Sequence, residues 1–174
     1  MIKDLKEGNK GFLWQVKNFS NYKKMLKDLA DNGQHPFALI ITCSDSRVVP
    51  EYIFDKPVGN LFVIRTAGNV INEGELGTIE YAIEHLQIKT ILVLGHTNCG
   101  AVHAAIHNEK GKYLDPILSK IKLAIGDEQD ELLATTLNAE SVKEFIKSKF
   151  PDYDGIVEKA IYDIKTGKVT FDKK

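Results

Sequence analysis

The chain has 174 residues, 43% of them hydrophobic, enough for one domain with a sizeable core and too few for two of ordinary size. Its 23 basic and 24 acidic residues leave a formal charge of -1, so no strong field recruits a phosphate backbone or an anionic lipid surface, and nucleic acid is excluded as the expected partner. The charged stretch Met1–Lys10 lacks a secretory signal pattern and no segment approaches the ~20 apolar residues of a bilayer span, so the expected location is the cytoplasm, with no membrane partner.

Phe12, Val16, Phe19, Tyr22 and Leu26 recur at three- and four-residue steps, predicting one or two amphipathic helices ahead of a loop at 31–33. Residues 37–42 form a continuous apolar run, too short for an independent helix, that reads as a strand buried on both faces and ends at Cys43. Residues 61–64 are a second such run, followed by Arg65-Thr-Ala-Gly-Asn69, whose glycine and asparagine mark a turn. A helix is predicted over 75–87, with Leu76, Ile79, Ile83 and Leu86 on one face, then a third buried strand over 90–94 with His96 at its carboxyl end. A helix opening at Gly100 would lend partial positive charge to its surroundings and favour an ionised Cys99. Helical periodicity returns over 116–125 and 131–149, and the alternation over 156–164, the turn at 165–168 and the run 169–171 predict a terminal hairpin.

This order predicts an α/β fold: a central, mostly parallel sheet of four strands plus an antiparallel edge strand, flanked by helices, with an amino-terminal helical arm. The arm would occupy 1–33 and the α/β core 34–174 of a single domain spanning 1–174. In such sheets ligands bind beyond the carboxyl ends of the strands, where strand order reverses.

Both cysteines of the chain stand at strand exits, in Cys43-Ser-Asp-Ser-Arg47 and in His96-Thr-Asn-Cys99. A lone cysteine after an apolar strand is ordinarily a small core hydrophobe. Two of them with a histidine three positions before the second are a ligand set for zinc, three protein donors leaving one position for water or substrate. A bridge between Cys43 and Cys99 stays open, although a reducing compartment favours thiols or ligands. Asp45 and Arg47 read blandly as a solvated ion pair; beside a metal, Arg47 would hold Asp45 ionised and oriented, or Asp45 would become a fourth ligand and close the site. His35, His85, His103 and His107 read as surface or helix-packing residues with no catalytic role.

These motifs resemble those of the β-class carbonic anhydrases over nearly the whole chain. Cys43-Ser-Asp-Ser-Arg47 and Gly95-His-Thr-Asn-Cys-Gly100 are similar to the family's two zinc-site motifs, with Glu7-Gly-Asn-Lys10, Arg65–Asn69, Ile79–Leu86 and Tyr162–Gly167 in support. The resemblance implies Zn2+ held by Cys43, His96 and Cys99, and reversible hydration of carbon dioxide to bicarbonate by zinc-bound hydroxide that Asp45 and Arg47 orient. It also implies that Gln34 hydrogen-bonds the substrate from a partner subunit, that Phe62 and Tyr81 wall the pocket, and that the chain is a homodimer or a dimer of dimers. Thr66 and Ala67 depart from common plant-type choices in a direction that widens the pocket, and Ile40 stands where the bicarbonate-regulated subset has tryptophan, which argues against that allosteric site. The alternatives are hydrolysis of carbon disulfide or carbonyl sulfide on the same scaffold, and a closed, non-catalytic zinc site.

Overall fold

A computed structural model describes residues 20–171; Phe12, Val16, Phe19 and the segment Glu7–Lys10 lie outside them. The chain divides into two compact units, Met1–His35 and Pro36–Lys174. In the first unit, α1 (Ser20–Asn32) presents Tyr22, Met25, Leu26 and Leu29 along one half-buried face. Asp31 and Asn32, expected in a loop, complete its last turn instead. Lys27 pairs with Asp31, and Asn32 Nδ2 donates to Asp28 Oδ1 at 2.6 Å, both at i,i+4 spacing. Gly33, with φ at +80°, then turns the chain out of the helix.

The second unit is built on β1 (Ala38–Cys43), α2 (Pro50–Ile53), β2 (Leu61–Thr66), a single 3-10 turn at Ala67–Asn69, α3 (Glu73–Glu84) and β3 (Thr90–His96). It continues through α4 (Gly100–Ile106), α5 (Asp115–Ile125), α6 (Glu131–Lys149), β4 (Ile156–Tyr162) and β5 (Val169–Phe171). The strands form one sheet in the order β2-β1-β3-β4-β5, parallel throughout except for the antiparallel β4–β5 pair. The expected α/β architecture is thus present, terminal hairpin included. β1 is buried at all six positions and β3 at six of seven, because both have strand neighbours on each side and side-chain layers on each face.

β2 differs from expectation. Among the described residues it has a neighbour on one side only, and Ile64 alone of its own residues is buried. An apolar run of this length reads the same at the edge of a sheet as at its centre, so its composition could not tell the two apart.

Alternation across the pleat sorts the apolar side chains onto two faces. Leu39, Ile41, Ile91 and Val93 pack against Ile79 and Ala82 of α3 and Ala139, Val142 and Ile146 of α6. Ala38, Ile40, Leu92 and Leu94 pack on the other face with Val48, Ala160, Ile53 of α2 and its C-cap Phe54. Each fully buried Leu, Ile or Val contributes roughly 1.5–3 kcal/mol relative to exposure, so the central strands are the main source of cohesion. α6 approaches β3 closely at Gly95, where a Cβ would lie 2.9 Å from Ile161 Cδ1 and 3.1 Å from Thr135 Cγ2. α3 opens with a capping box in which Asn72 and Glu75 satisfy each other's backbone N–H groups.

From β1 the chain crosses to β2 on one side, and later strands extend the sheet on the other. Strand order therefore reverses between β1 and β3, and this is where an open α/β sheet leaves a crevice at its carboxyl edge. Cys43 ends β1 and His96 ends β3.

Candidate metal centre

Cys43 and His96 arrive on adjacent strand ends, and Cys99 is the N-cap of α4, three residues past His96. One ligand atom from each residue lies within 4.8 Å of the other two, and the two sulfurs are 3.9 Å apart. All three side chains are buried, at 6%, 0% and 3% exposure. No disulfide joins the cysteines.

The donors are arranged for a cation. His96 Nδ1 lies 2.9 Å from the Thr97 carbonyl oxygen, which can only accept, so Nδ1 carries the proton and Nε2 keeps its lone pair. That Nε2 is buried and has no hydrogen-bond partner among the described residues, an arrangement that costs free energy unless something else satisfies it. The paired thiols behave as one acid: the hydrogen bond between them holds Cys43 down and pushes Cys99 up, with burial raising both. The backbone of Ala101 and Val102 does lower Cys99, as expected for a helix start, but the Cys43 thiolate and burial outweigh it, so the more acidic thiol is Cys43. A cation at this point replaces the shared proton and lets both sulfurs ionise. Two thiolates and an imidazole suit Zn2+, and the orphaned Nε2 completes the fit.

Around this triad the backbone is held by groups that sequence patterns do not reveal. Gly68 N–H donates to Cys43 Sγ at 3.4 Å, with Gly68 at φ +61° in the turn after β2. Its carbonyl accepts from the buried Asn138 Nδ2 of α6 at 2.9 Å. Arg65 donates from Nε to the Cys43 carbonyl at 3.2 Å and from Nη2 to the Asp45 carbonyl at 2.6 Å, fixing the loop between the two residues. The positive-φ signal of Gly68-Asn69 was visible as a turn; the reach of Arg65 and Asn138 across the fold was not.

Asp45 is turned toward Arg47. Its Oδ1 accepts from Arg47 Nε and from the Arg47 backbone N–H, each at 2.9 Å, and its Oδ2 accepts from Nη2 at 2.7 Å. The fork holds the Asp45 carboxyl well below the usual carboxylate range. Arg47 also donates to the Asn98 carbonyl at 3.3 Å, tying the first motif loop to the second. The compact donor cluster has three members and Asp45 is not among them.

The other expected site residues fall elsewhere. Phe62 and Tyr81 meet, with ring centroids 6.1 Å apart. Phe62 is paired in register with Leu39, four residues before Cys43, and packs in the cluster of Leu39 and Ile41, whereas both cysteines belong to the cluster of α4 and α5. At about 3.3 Å per strand residue, that places Phe62 about 13 Å back along the sheet from Cys43. Gln34 lies in the first unit.

The carbonic anhydrase family profile matches residues 38–150. Carbonic anhydrase 2 of Mycobacterium tuberculosis is 46% identical over 104 residues, covering 60% of this chain and 50% of that protein; the chain thus spans about half the length of the relatives it matches in sequence. The crystal structure of the β-carbonic anhydrase CafA of Aspergillus fumigatus superposes with a TM-score of 0.82 at 28% identity, covering 98% of this chain and 91% of that one. The β-carbonic anhydrase CcaA superposes at 0.80 with 31% identity, covering 96% and 86%. The sequence match takes in three of the five strands and both motif loops, and the structural match takes in the remainder of the sheet, so the chain belongs to the β-class carbonic anhydrase family.

Proposed function

We propose that the chain catalyses the reversible hydration of carbon dioxide to bicarbonate and a proton. The observation that carries this reading is the carboxylate of Asp45, held by three donors of Arg47 beside a cluster that counts three metal donors among the described residues. A closed structural site needs four ligands and has no use for a clamped carboxylate outside them. Cys43, His96 and Cys99 would hold zinc, which would supply Lewis acidity and bring the pKa of a bound water down to about 7.

Asp45 then acts on the nucleophile. A carboxylate offers about four lone-pair sites, and Arg47 uses three. The remaining one accepts the O–H of the attacking group and aims its lone pair at the carbon. Arg47 keeps Asp45 ionised and fixes the direction of that acceptance. Arg65 holds the loop backbone between Cys43 and Asp45, so ligand and acceptor keep a constant separation.

The substrate wall comes from a second copy. Phe62 and Tyr81 stand together but away from the triad of their own chain, and an uncharged linear substrate calls for an apolar wall. A homodimer, alone or paired again, would bring this aromatic pair and the Gln34 amide to its neighbour's metal, where the amide donates to the oxygen that becomes negative. A reducing cytoplasm suits the site, because two free thiols 3.9 Å apart must resist oxidation. Among the described residues no helix is long and apolar enough to cross a membrane.

Stopped-flow indicator assays of carbon dioxide hydration, run beside sulfide-release assays on carbon disulfide and carbonyl sulfide, test the reading. Fast hydration with negligible sulfide supports it; sulfide release without hydration transfers the site to the hydrolase alternative.

A further inference from the structure

His103 and His107 take no part in the chemistry above. His103 lies on α4 and His107 is its C-cap, one turn on; both are exposed, with ring centroids 4.1 Å apart at 31°. Each ring has one nitrogen committed: His103 Nδ1 is 2.7 Å from Glu131 Oε1, and His107 Nδ1 is 2.8 Å from the His103 carbonyl oxygen. Neither a carboxylate nor a carbonyl oxygen can donate, so both Nδ1 atoms carry protons, and in the neutral rings the Nε2 atoms keep their lone pairs. Metal-binding histidines show this pattern, the far ring nitrogen donating to a carboxylate or carbonyl that fixes tautomer and ring direction. Spacing of i,i+4 brings two imidazoles to one ion from a single helix face.

We propose that His103 and His107 form a second metal site, which takes a divalent transition ion of the Zn2+, Ni2+ or Cu2+ class through their two Nε2 atoms, with Glu131 orienting His103. Nitrogen donors select these ions over Mg2+ and Ca2+, which require oxygen. Ala104 follows the first histidine, where helices that build hydrolytic zinc centres on this spacing carry a glutamate base, so the site binds without hydrolysing. Occupancy would also close the last turn of α4, the helix whose N-cap is Cys99.

The test uses the full-length, tag-free protein loaded with one zinc and titrated with Ni2+ by calorimetry, with a colorimetric chelator reporting released zinc. The expected result is one further equivalent of nickel without zinc release, and a melting temperature raised by nickel. Glu131→Gln should weaken the uptake about tenfold, and His103→Gln with His107→Gln should abolish both uptake and the thermal shift. His35→Gln with His85→Gln should leave both intact. No extra equivalent in the wild type, uptake that survives the His103/His107 double variant, or nickel taken up mole for mole against zinc lost would each overturn the assignment.

Discussion

Replacing Arg47 by glutamine separates the two functions assigned to the first motif loop. The wild-type carboxylate of Asp45 receives three hydrogen bonds from Arg47, two of them from the guanidinium. Charge-assisted bonds contribute roughly 1.5–3 kcal/mol each when shielded, but the Arg47 side chain is 54% exposed and the Asp45 side chain 17%, so the pair is discounted toward the surface range. The stability loss for Arg47→Gln should therefore be small, with Cys43, His96 and Cys99 left in place. Turnover should fall much further, about 100-fold, because an acceptor free to rotate no longer fixes the nucleophile. Arg47→Lys should fall between, keeping the charge but not the two-pronged geometry. The assay pairs stopped-flow carbon dioxide hydration with zinc content per chain and a urea melt. Stoichiometric zinc, a small shift in melt midpoint and a large loss of kcat are expected. Near-normal kcat would refute the orienting role of the clamp, and parallel loss of zinc would show that Arg47 supports the metal rather than the acceptor.

Cys43→Ser should lose stoichiometric zinc, since a neutral hydroxyl replaces the more acidic thiol of the pair; elemental analysis after dialysis checks it, and full retention would remove Cys43 from the ligand set. Gly68→Ala places a Cβ 2.7 Å from Ile121 Cδ1 and 3.1 Å from Ala101 Cβ at a φ of +61°, so it should cost about 1–3 kcal/mol and weaken zinc binding by moving the N–H away from Cys43 Sγ; denaturant melts and chelator competition read the two effects separately. Glu140 bridges Lys143 at 2.6 Å and the buried Lys159 at 3.3 Å, and although burial raises its carboxyl, the two lysines bring it below the ordinary value of 4.5. A carboxyl held low in the folded state stabilises above its unfolded value, and that gain is lost as pH falls through the folded one. Glu140→Gln should therefore cost about 1 kcal/mol at pH 7, a figure reduced for the 37% exposure of the Glu140 side chain, and the gap from wild type should close as melts are repeated below pH 4.5; a gap that widens on acidification would contradict the assigned sign.

Where the sequence was legible, the chemistry was carried by residue type in a short window. The apolar run over 37–42 was too short for a helix and read as a strand, and a thiol or imidazole at the end of such a run points to the carboxyl edge of a parallel sheet. Cys43, His96 and Cys99 were therefore readable, and so was the Asp45–Arg47 pair, whose bonds span two residues. What escaped was anything decided by placement alone. The apolar run of β2 does not encode that it sits at an edge, and the charge of Arg65 does not encode that it reaches back 22 residues to the Cys43 carbonyl. Asn138 lies on a helix face that looks like packing, yet it holds the Gly68 peptide that donates to the Cys43 sulfur. The aromatic pair Phe62–Tyr81 was named from resemblance, and only the register of β2 on β1 showed that it stands about four strand positions from the triad of its own chain.

That distribution gives the site a division of labour with a physical basis. The metal donors are buried, Cys43 and His96 at the ends of the two most deeply buried strands and Cys99 at the N-cap of α4, so disturbing them means disturbing the core. The proposed acceptor, Asp45, stands half-buried on the loop after β1, its carboxylate held by Arg47 and its carbonyl by Arg65 Nη2 and the Val48 N–H. Core substitutions near Cys43 or Cys99 should consequently move stability and zinc content together, whereas loop substitutions should move turnover alone. The Gly68 peptide links a turn to the core donors, since it touches the Cys43 sulfur and is itself held by Asn138. Asn138→Leu, close in volume and lacking the donor, should then lower zinc affinity in chelator competition while the Asp45–Arg47 clamp persists; unchanged affinity in a folded variant would show that the sulfur is set by the strand and needs no help from the turn.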